Sequence, residues 1–502
     1  MDAFQNLLLG FAVALTPQNL FLALVGSVLG TLIGVLPGLG PAAGSAMLIP
    51  LTFQMNPTGA IIMLTALFYG TQYGGTITSV LLNVPGEAAS AITCLDGYAM
   101  AKQGRAGIAL SIAAVGSFIG GTLATIALVL AAGPLTRWAL EFGPVEFFSL
   151  IMLGLSLLIG LAGKSMVKAL LMGIFGLLLA MIGIDPIRGS PRFTFGRIEL
   201  LDGIGFVPVI MGLFGLSEIL ANAEKPFTQI VLAEMSSLIP TKKDVRDSIG
   251  PILRGSVIGT LLGLVPGMTN SASSFLAYVA ERKVSKDPER FGTGMIAGVA
   301  SPETANNAHA NGALIPLFTL GIPASPTIAV IMGAFLMHGL IPGPMLFKEH
   351  PDVVWGVIAS FYVGNVMLLI LNLPLIGIWV KLLKIPYGML CGIIMAFLVL
   401  GAYSISSSAF DVGVMTLFGV IGYLLRKLDF PLAPIVLTLI LGPLMERSLR
   451  LSLEISRGSM DIFLTSPIAL ILLSIAALFL IAPTFRFLRR GSVVQSGKNV
   501  GK

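Results

Sequence analysis

The stretch "GSVLGTLIGVLPGLG", Gly26–Gly40, decides how this chain is read, because it returns as "GSVIGTLLGLVPGMT" from Gly255, 229 residues later. Between Gly26–Leu39 and Gly255–Met268, nine of fourteen positions are identical, and the other five exchange one large apolar residue for another. Proline removes a helix hydrogen bond and glycine tolerates conformations that other residues avoid, so Pro37-Gly38 and Pro266-Gly267 should each interrupt an apolar helix. The segments that follow, "LGPAAGSAMLIPLTF" and "MTNSASSFLAYVA", are too short and too rich in small residues for full spans. Each reads as half of a re-entrant helical hairpin with its tip at membrane depth, where broken backbone must be buried in protein or line a wet cavity. The competing reading is that the glycines serve close helix packing, as small-xxx-small faces do.

Composition places these segments in a membrane. Hydrophobic residues make up 55% of the 502, charged residues only 11%, and mean hydropathy is +0.94, far outside the range of soluble chains. Apolar runs near 19–36, 59–83, 107–132, 145–162, 166–184, 204–221, 250–266, 326–347, 353–380, 386–402, 411–425 and 464–485 imply about ten to twelve spanning helices. Open β structure cannot cross lipid, so the fold is an all-α polytopic membrane protein. Two homologous repeats organise it: residues 1–225 with motifs in 26–107, and 251–485 with motifs in 255–347, joined by a loop at 226–250. We expect the repeats to be inverted, with the two Pro-Gly tips meeting near the midplane about a pseudo-two-fold axis, the arrangement of many secondary transporters.

The net charge of +6 reflects loop placement, not nucleic-acid affinity, since basic residues gather on the cytoplasmic side of membrane proteins. The basic tail 486–502 puts the C-terminus inside, and "ERKVSKDPERF" at 281–291 should lie on the same side. Cys94 and Cys391 stand singly in apolar contexts and are assigned to packing.

A second landmark carries the polar groups. Gly74 and Pro85 in "YGGTITSVLLNVPGEAAS" share a spacing of eleven residues with Gly312 and Pro323 in "NGALIPLFTLGIPASPT". Tyr69, Gln72, Thr76, Ser79 and Asn83 recur every three or four residues and form one polar stripe on an apolar helix. Opposite them, "SPETANNAHANG" reads as a helix starting at Ser301-Pro302, with Glu303, Asn307 and Asn311 on one face and Asn306 beside them. An intramembrane carboxylate is a functional candidate by default, while a carboxylate at a loop mouth is merely a favourable helix-terminal charge. His309 reads as a satisfied hydrogen-bonder.

Exposed N–H groups at helix starts, joined by Ser, Thr and Asn, favour anions, while freed carbonyls at broken helix ends favour Na⁺. The candidate substrate and cation site therefore takes Pro37, Gly38, Gly40, Gln72, Thr76, Ser79, Asn83, Pro85 and Gly86 from the first half. From the second half it takes Pro266, Gly267, Thr269, Asn270, Ser271, Glu303, Asn307, Asn311, Gly321, Pro323 and Ser325. No catalytic residue and no cofactor is assigned. There is no His/Glu metal cluster or Ser-His-Asp set, and Gly34–Gly40 lacks the Gly-Lys-Ser/Thr ending of a phosphate loop, so an enzyme is disfavoured.

The segments "GVLPGLGPAAG", "YGTQYGGTITSVLLNVPGE", "DGYAMAKQGRAG", "PETANNAHANGALIPLFTLGIPAS" and "HGLIPGPMLF" resemble the large permease subunit of the tripartite tricarboxylate transporters, over nearly the whole chain. That resemblance implies a bacterial inner-membrane symporter driven by a Na⁺ or H⁺ gradient. It also implies a small membrane subunit and a periplasmic solute-binding protein that delivers a di- or tricarboxylate such as citrate. The alternatives are an ion channel, which needs a continuous polar path, or a stand-alone secondary transporter for another small anion.

Overall fold

The computed structural model describes residues 3–36, 39–161, 165–185, 188–224, 237–382 and 387–480. The chain forms two compact units, Met1–Leu140 with Val207–Leu424, and Glu141–Phe206 with the described part of Leu425–Lys502. The first unit opens with α1 (Ala3–Ala14), α2 (Pro17–Val35), α3 (Pro41–Thr52), α4 (Pro57–Leu82), a 3₁₀ turn at Ala88–Ala91, α5 (Thr93–Lys102) and α6 (Ala106–Ala139). It resumes with α9 (Phe206–Ile210), a π-helical turn (Met211–Leu216) and α10 (Ser217–Ala223). There follow α11 (Lys242–Gly263), α12 (Asn270–Val284), α13 (Ala297–Gly312), α14 (Leu314–Leu320) and α15 (Pro326–Met337). It closes with α16 (Pro344–Glu349), α17 (Pro351–Asn372), α18 (Ile376–Leu382), α19 (Tyr387–Ser406) and α20 (Ala409–Lys427). The second unit holds α7 (Pro144–Leu161), α8 (Met166–Ala180), α21 (Ala433–Ile455), α22 (Ile462–Thr465), an apolar helix at Pro467–Leu480, and a two-residue antiparallel pairing of Gly183–Ile184 with Pro191–Arg192.

The chain is thus an all-α polytopic membrane protein. Among the described residues, five helices are both long and apolar enough to cross a bilayer: Pro17–Val35, Ala106–Ala139, Phe206–Ala223, Pro351–Asn372 and Ala409–Lys427. Six further apolar helices are shorter than a full span.

The repeated glycines form packing ridges. A methyl group on Gly26, Gly30 or Gly34 would lie 2.2, 2.2 or 2.3 Å from the carbonyl oxygens of Met63, Leu67 and Thr71 on α4. On α11, Gly255, Gly259 and Gly263 meet the carbonyls of Ser301, Ala305 and His309 on α13 at 2.4, 2.3 and 2.7 Å in the same sense. The neighbours answer in kind: Gly74 faces the carbonyl of Thr31, and Gly312 that of Thr260. Lipid is as apolar as a leucine face, so helices here associate through close van der Waals contact, which only a missing side chain allows. The opposite faces carry exposed Phe21 and Leu24 on α2, and Leu253, Val257 and Leu261 on α11.

The rising residue numbers in these contacts make α2 parallel to α4, and α11 parallel to α13. The helix between each pair must therefore run back. For α12 this return is explicit: Asn270 bonds to Asn306, Ser274 to the carbonyl of Pro302, and Ser301 to that of Ala277. Arg254 on α11 makes a two-pronged ion pair with Glu281 on α12 at 2.8 and 2.6 Å, so the hairpin has both legs on one side. Its tip carries Gly267 at φ 89°, whose N–H donates to the carbonyl of Ala324 at 2.9 Å. In the first half, α2 gives way to extended backbone at Leu36, and α3 begins after Gly40. Pro37 and Gly38 themselves lie outside the described residues, as do the tail 486–502 and residues 226–236 of the expected 226–250 loop, whose last nine residues, from Lys242, instead form the start of α11.

One expectation is corrected. The helix bearing Glu303 starts at Ala297, not at Ser301-Pro302; Pro302 is its sixth residue and lies inside it. The Ser301 hydroxyl is not a cap but donates to the carbonyl of Ala277. The helix therefore forgoes one internal bond at the proline, and the packed neighbours α11 and α12 hold it in place.

Candidate functional site

Every residue of α13 is buried, although Ser, Thr, Asn, His and Glu line it. A helix this polar survives in a membrane only if protein encloses it and meets its hydrogen bonds. The α11 ridge and α12 cover one side, α6 another, and α4, α5 and the Ala88–Ala91 turn close the rest.

The centre of this enclosure holds two carboxylates, one from each half. Glu303, 1% exposed, accepts a hydrogen bond from the Thr76 hydroxyl of α4 at 2.5 Å on Oε2, and one from the Thr93 hydroxyl of α5 on Oε1. Glu87, 7% exposed, caps the Ala88–Ala91 turn, and its Oε1 accepts from Asn306 Nδ2 at 2.7 Å. The Gln72 amide, oriented by its neighbours, donates to Glu87 Oε1 at 2.8 Å and to Asn306 Oδ1 at 2.7 Å. Asn270, first residue of α12, donates to the carbonyl and Oδ1 of Asn306 at 3.1 and 3.2 Å. A single amide therefore links the second tip to the carboxylate that follows the first.

The other anticipated residues fall into three groups. Ser79 joins the cluster from α4, bonding to Ser90 at 2.9 Å in the turn after Glu87. Asn307 and Asn311 face α6 instead, donating to Ser117 Oγ at 2.7 Å, and to the Gly121 carbonyl and Thr125 at 2.7 and 2.8 Å. They bind helices together rather than surround the Glu303 carboxylate. The remainder shape backbone: Asn83 (φ 57°) and Gly321 (φ 72°) end α4 and α14 in left-handed conformation. Thr269 and Ser325 cap α12 and α15, accepting from the Ala272 and Ile328 amides, while Gly40 precedes α3 with open space around it. Gly86 sits against Gly34, where a methyl would lie 2.1 Å from the Gly34 carbonyl. Pro85 is exposed, Pro323 is buried, and Pro266 and Ser271 are half-buried. Thr269 is exposed and Asn270 half-buried, so the start of α12 is the more open flank of the cluster.

Sequence reasoning missed Glu87, Thr93 and Ser117. Glu87 reads as a turn residue after Pro85-Gly86; its signal was a carboxylate immediately following a helix break in an apolar stretch. His309 is bonded through Nδ1 to Ser273 at 2.7 Å, but its buried Nε2 has no hydrogen-bond partner, so the expected satisfied histidine is only half matched.

Among the described residues, no Lys or Arg pairs with Glu87 or Glu303. Two enclosed carboxylates need compensating positive charge, and this site draws none from basic side chains. Its oxygens, together with the Thr76 and Thr93 hydroxyls, could receive a small monovalent cation or a proton. The basic residues gather instead at one end of the unit. There a cleft of 600 Å³ is lined by Arg105, Lys243, Arg254, Lys286 and Arg290 among acidic partners. Partial burial there works against the charge of Asp244, but Thr241 hydrogen bonds and the Arg105 guanidinium outweigh it and hold the carboxyl below its usual range.

Broken helices, glycine ridges and a polar core sealed from lipid together define a multi-pass protein of the transporter class. The chain belongs to the tripartite tricarboxylate transporter TctA family, whose model matches residues 20–437. It is 48% identical over 476 residues, 95% of each chain, to the uncharacterized 52.8 kDa protein in the TAR-I ttuC′ 3′ region of Agrobacterium vitis. It is 49% identical over 217 residues to the uncharacterized protein in the TAR-II ttuC′ 3′ region of the same organism, covering 43% of this chain and 90% of the relative. No solved structure matches it.

Proposed function

We propose that this protein is the large permease subunit of a binding-protein-dependent symporter that takes up di- or tricarboxylates, such as citrate, with a Na⁺ or H⁺ gradient. Family membership supports the permease role, and the family's way of working supports a small membrane subunit and a periplasmic solute-binding protein as partners. The observation that carries the coupling is the enclosed pair of Glu87 and Glu303, drawn from the two halves and with no basic partner among the described residues. The capped starts of α12 and α15 offer neutral N–H and hydroxyl donors for a carboxylate.

The halves form inverted repeats in this reading. Its support is a repeated order of features: Gly26, Gly30 and Gly34 map onto Gly255, Gly259 and Gly263 at an offset of 229 residues, and Asn83 and Glu87 onto Gly321 and Ser325 at an offset of 238, each pair serving the same local purpose. The corresponding helices α4 and α13 cross in opposite directions, since Thr76 meets Glu303 while the earlier Gln72 meets the later Asn306. Helices so related have their symmetry axis in the membrane plane. The end rich in Arg105, Lys243, Arg254 and Lys286 then faces the cytoplasm of a bacterial inner membrane, and the C-terminus with it.

The test is uptake of labelled citrate and other di- and tricarboxylates into proteoliposomes holding the complex, with and without the binding protein, under imposed Na⁺ or H⁺ gradients. Saturable accumulation that needs both the binding protein and one gradient is the expected result. Non-saturating flux of small ions without the binding protein would favour a channel.

A further inference from the structure

A small cavity lies against Thr76, whose hydroxyl bonds to Glu303. It holds about 10 Å³, room for a single water, and Tyr73, Thr76, Ser117 and Asn372 supply its polar lining. Asn372, near the end of α17, is 3% exposed, and its Oδ1 has no hydrogen-bond partner. A buried amide oxygen left unmatched beside a water-sized space calls for a donor in that space. Thr76 stands between the two, with its hydroxyl on Glu303 and its flank on the cavity.

We propose that Glu87 and Glu303 hold one exchangeable proton between them, and that this proton reaches the site through the Thr76 hydroxyl from a water held by Asn372. The inference deepens the transport reading by naming the proton as the coupling ion.

The hydrogen bonds favour a proton over Na⁺. The carboxylate oxygens are met by the N–H groups of Asn306 and Gln72 and the hydroxyls of Thr76 and Thr93, all donors. Sodium needs oxygen ligands turned toward it, so both amides would have to rotate away. A proton placed on one carboxylate oxygen needs only one hydroxyl to swing. The relay balances when the transported proton arrives on the cavity water as hydronium: that water gives it to Thr76 Oγ1 as Thr76 passes its own proton to Glu303 Oε2, leaving neutral water and an intact hydroxyl, and reversal releases the proton.

Of the other titratable groups around α13, the Tyr69 hydroxyl of α4 and His309 Nε2 are buried without a hydrogen-bond partner, and the rest are paired. Tyr73 donates to Asn365, His309 bonds Ser273, and Tyr278 of α12 donates to Asp96 of α5. Arg254 of α11 is paired with Glu281, and Arg105, just before α6, with Asp244. Cys94 of α5 is the remaining neighbour of Glu303, with its thiol on the Ser90 carbonyl at 3.9 Å.

The experiment is infrared spectroscopy of the purified chain at neutral pH, which reads the C=O stretch of a protonated carboxyl and needs no substrate. The wild type is expected to show one such band, lost in both Glu87→Gln and Glu303→Gln, because removing either negative charge lets the other carboxyl ionise. Asn372→Leu should keep the band but slow its exchange into heavy water about tenfold, from loss of one hydrogen bond to the relay water. Two independent bands, no band, a band surviving in either glutamine variant, or one erased by added Na⁺ would each overturn the proposal. Failure of carboxylate uptake in proteoliposomes would remove the transport reading while leaving the infrared result standing, so the two fail separately.

Discussion

Replacing Gly30 by alanine tests whether the repeated glycines act as packing ridges. The new methyl would lie 2.2 Å from the Leu67 carbonyl oxygen, where ordinary contact begins near 3.4 Å, so α2 and α4 must part by about 1.2 Å (3.4 − 2.2). A gap of that size forfeits roughly half of each dispersion contact along the ridge, and overpacking of this kind costs about 1–3 kcal/mol. Gly259→Ala repeats the experiment on α11, with its methyl 2.3 Å from the Ala305 carbonyl. Gly133→Ala on α6 is the control, because nothing lies within 4 Å of that position. There the better helix former should be neutral or stabilising by up to about 1 kcal/mol. Thermal melting of the purified chain in detergent reads all three. The account expects Gly30→Ala and Gly259→Ala to melt well below the wild type and Gly133→Ala at or above it. Equal melting of all three would refute the ridge.

Asn270→Leu should abolish uptake with membrane expression intact, since the carbonyl and Oδ1 of Asn306 lose their donor from the second tip; transport assays with surface quantification check it. At Asn83, leucine would also strain a left-handed residue by about 1–2 kcal/mol, so Asn83→Gly is the cleaner variant, and it should fold and melt as the wild type does. Asp96 accepts from the amides of Gly292, Gly294 and Met295 and from Tyr278, so Asp96→Asn should free the 285–296 loop, seen as faster proteolysis there. Asp244 has a folded-state pKa below its unfolded value, so its stabilisation is present above about pH 4 and is lost as pH falls further; melting curves of Asp244→Asn should lose that acid-side slope.

Much of the fold was legible from a few residues. In Gly26–Gly40 and its return the glycines pack against α4 and α13, as the small-residue reading expects, and α11 ends at Gly263, shortly before Pro266-Gly267. Of the polar stripe, Tyr69, Gln72, Thr76 and Ser79 are buried in protein, while Asn83, at the end of α4, is exposed. Spacing placed Glu303, Asn307 and Asn311 on one face of α13 but did not show where the Glu303 carboxylate points. They share that face at intervals of four, yet a glutamate side chain is long enough to turn toward Thr76 and Thr93 while its own carbonyl faces Ser117 and Asn307 of the α6 side. Glu87 escaped notice because its partner Asn306 lies 219 residues away, a pairing that no local period records. The start of α13 was misplaced for a related reason: Ser301-Pro302 has the chemistry of a cap, but packing against α11 and α12 extends the helix through it.

The most direct test of coupling at the enclosed carboxylates is Glu303→Gln in proteoliposomes holding the whole complex, comparing gradient-driven accumulation with substrate exchange. The variant keeps shape and most hydrogen bonds but removes the charge. The account predicts that it still exchanges internal for external carboxylate, while accumulation against a gradient is lost and the cation dependence of the rate flattens. Normal accumulation with unchanged cation dependence would contradict it, and would leave Glu303 as a purely structural hydrogen-bond acceptor for Thr76 and Thr93.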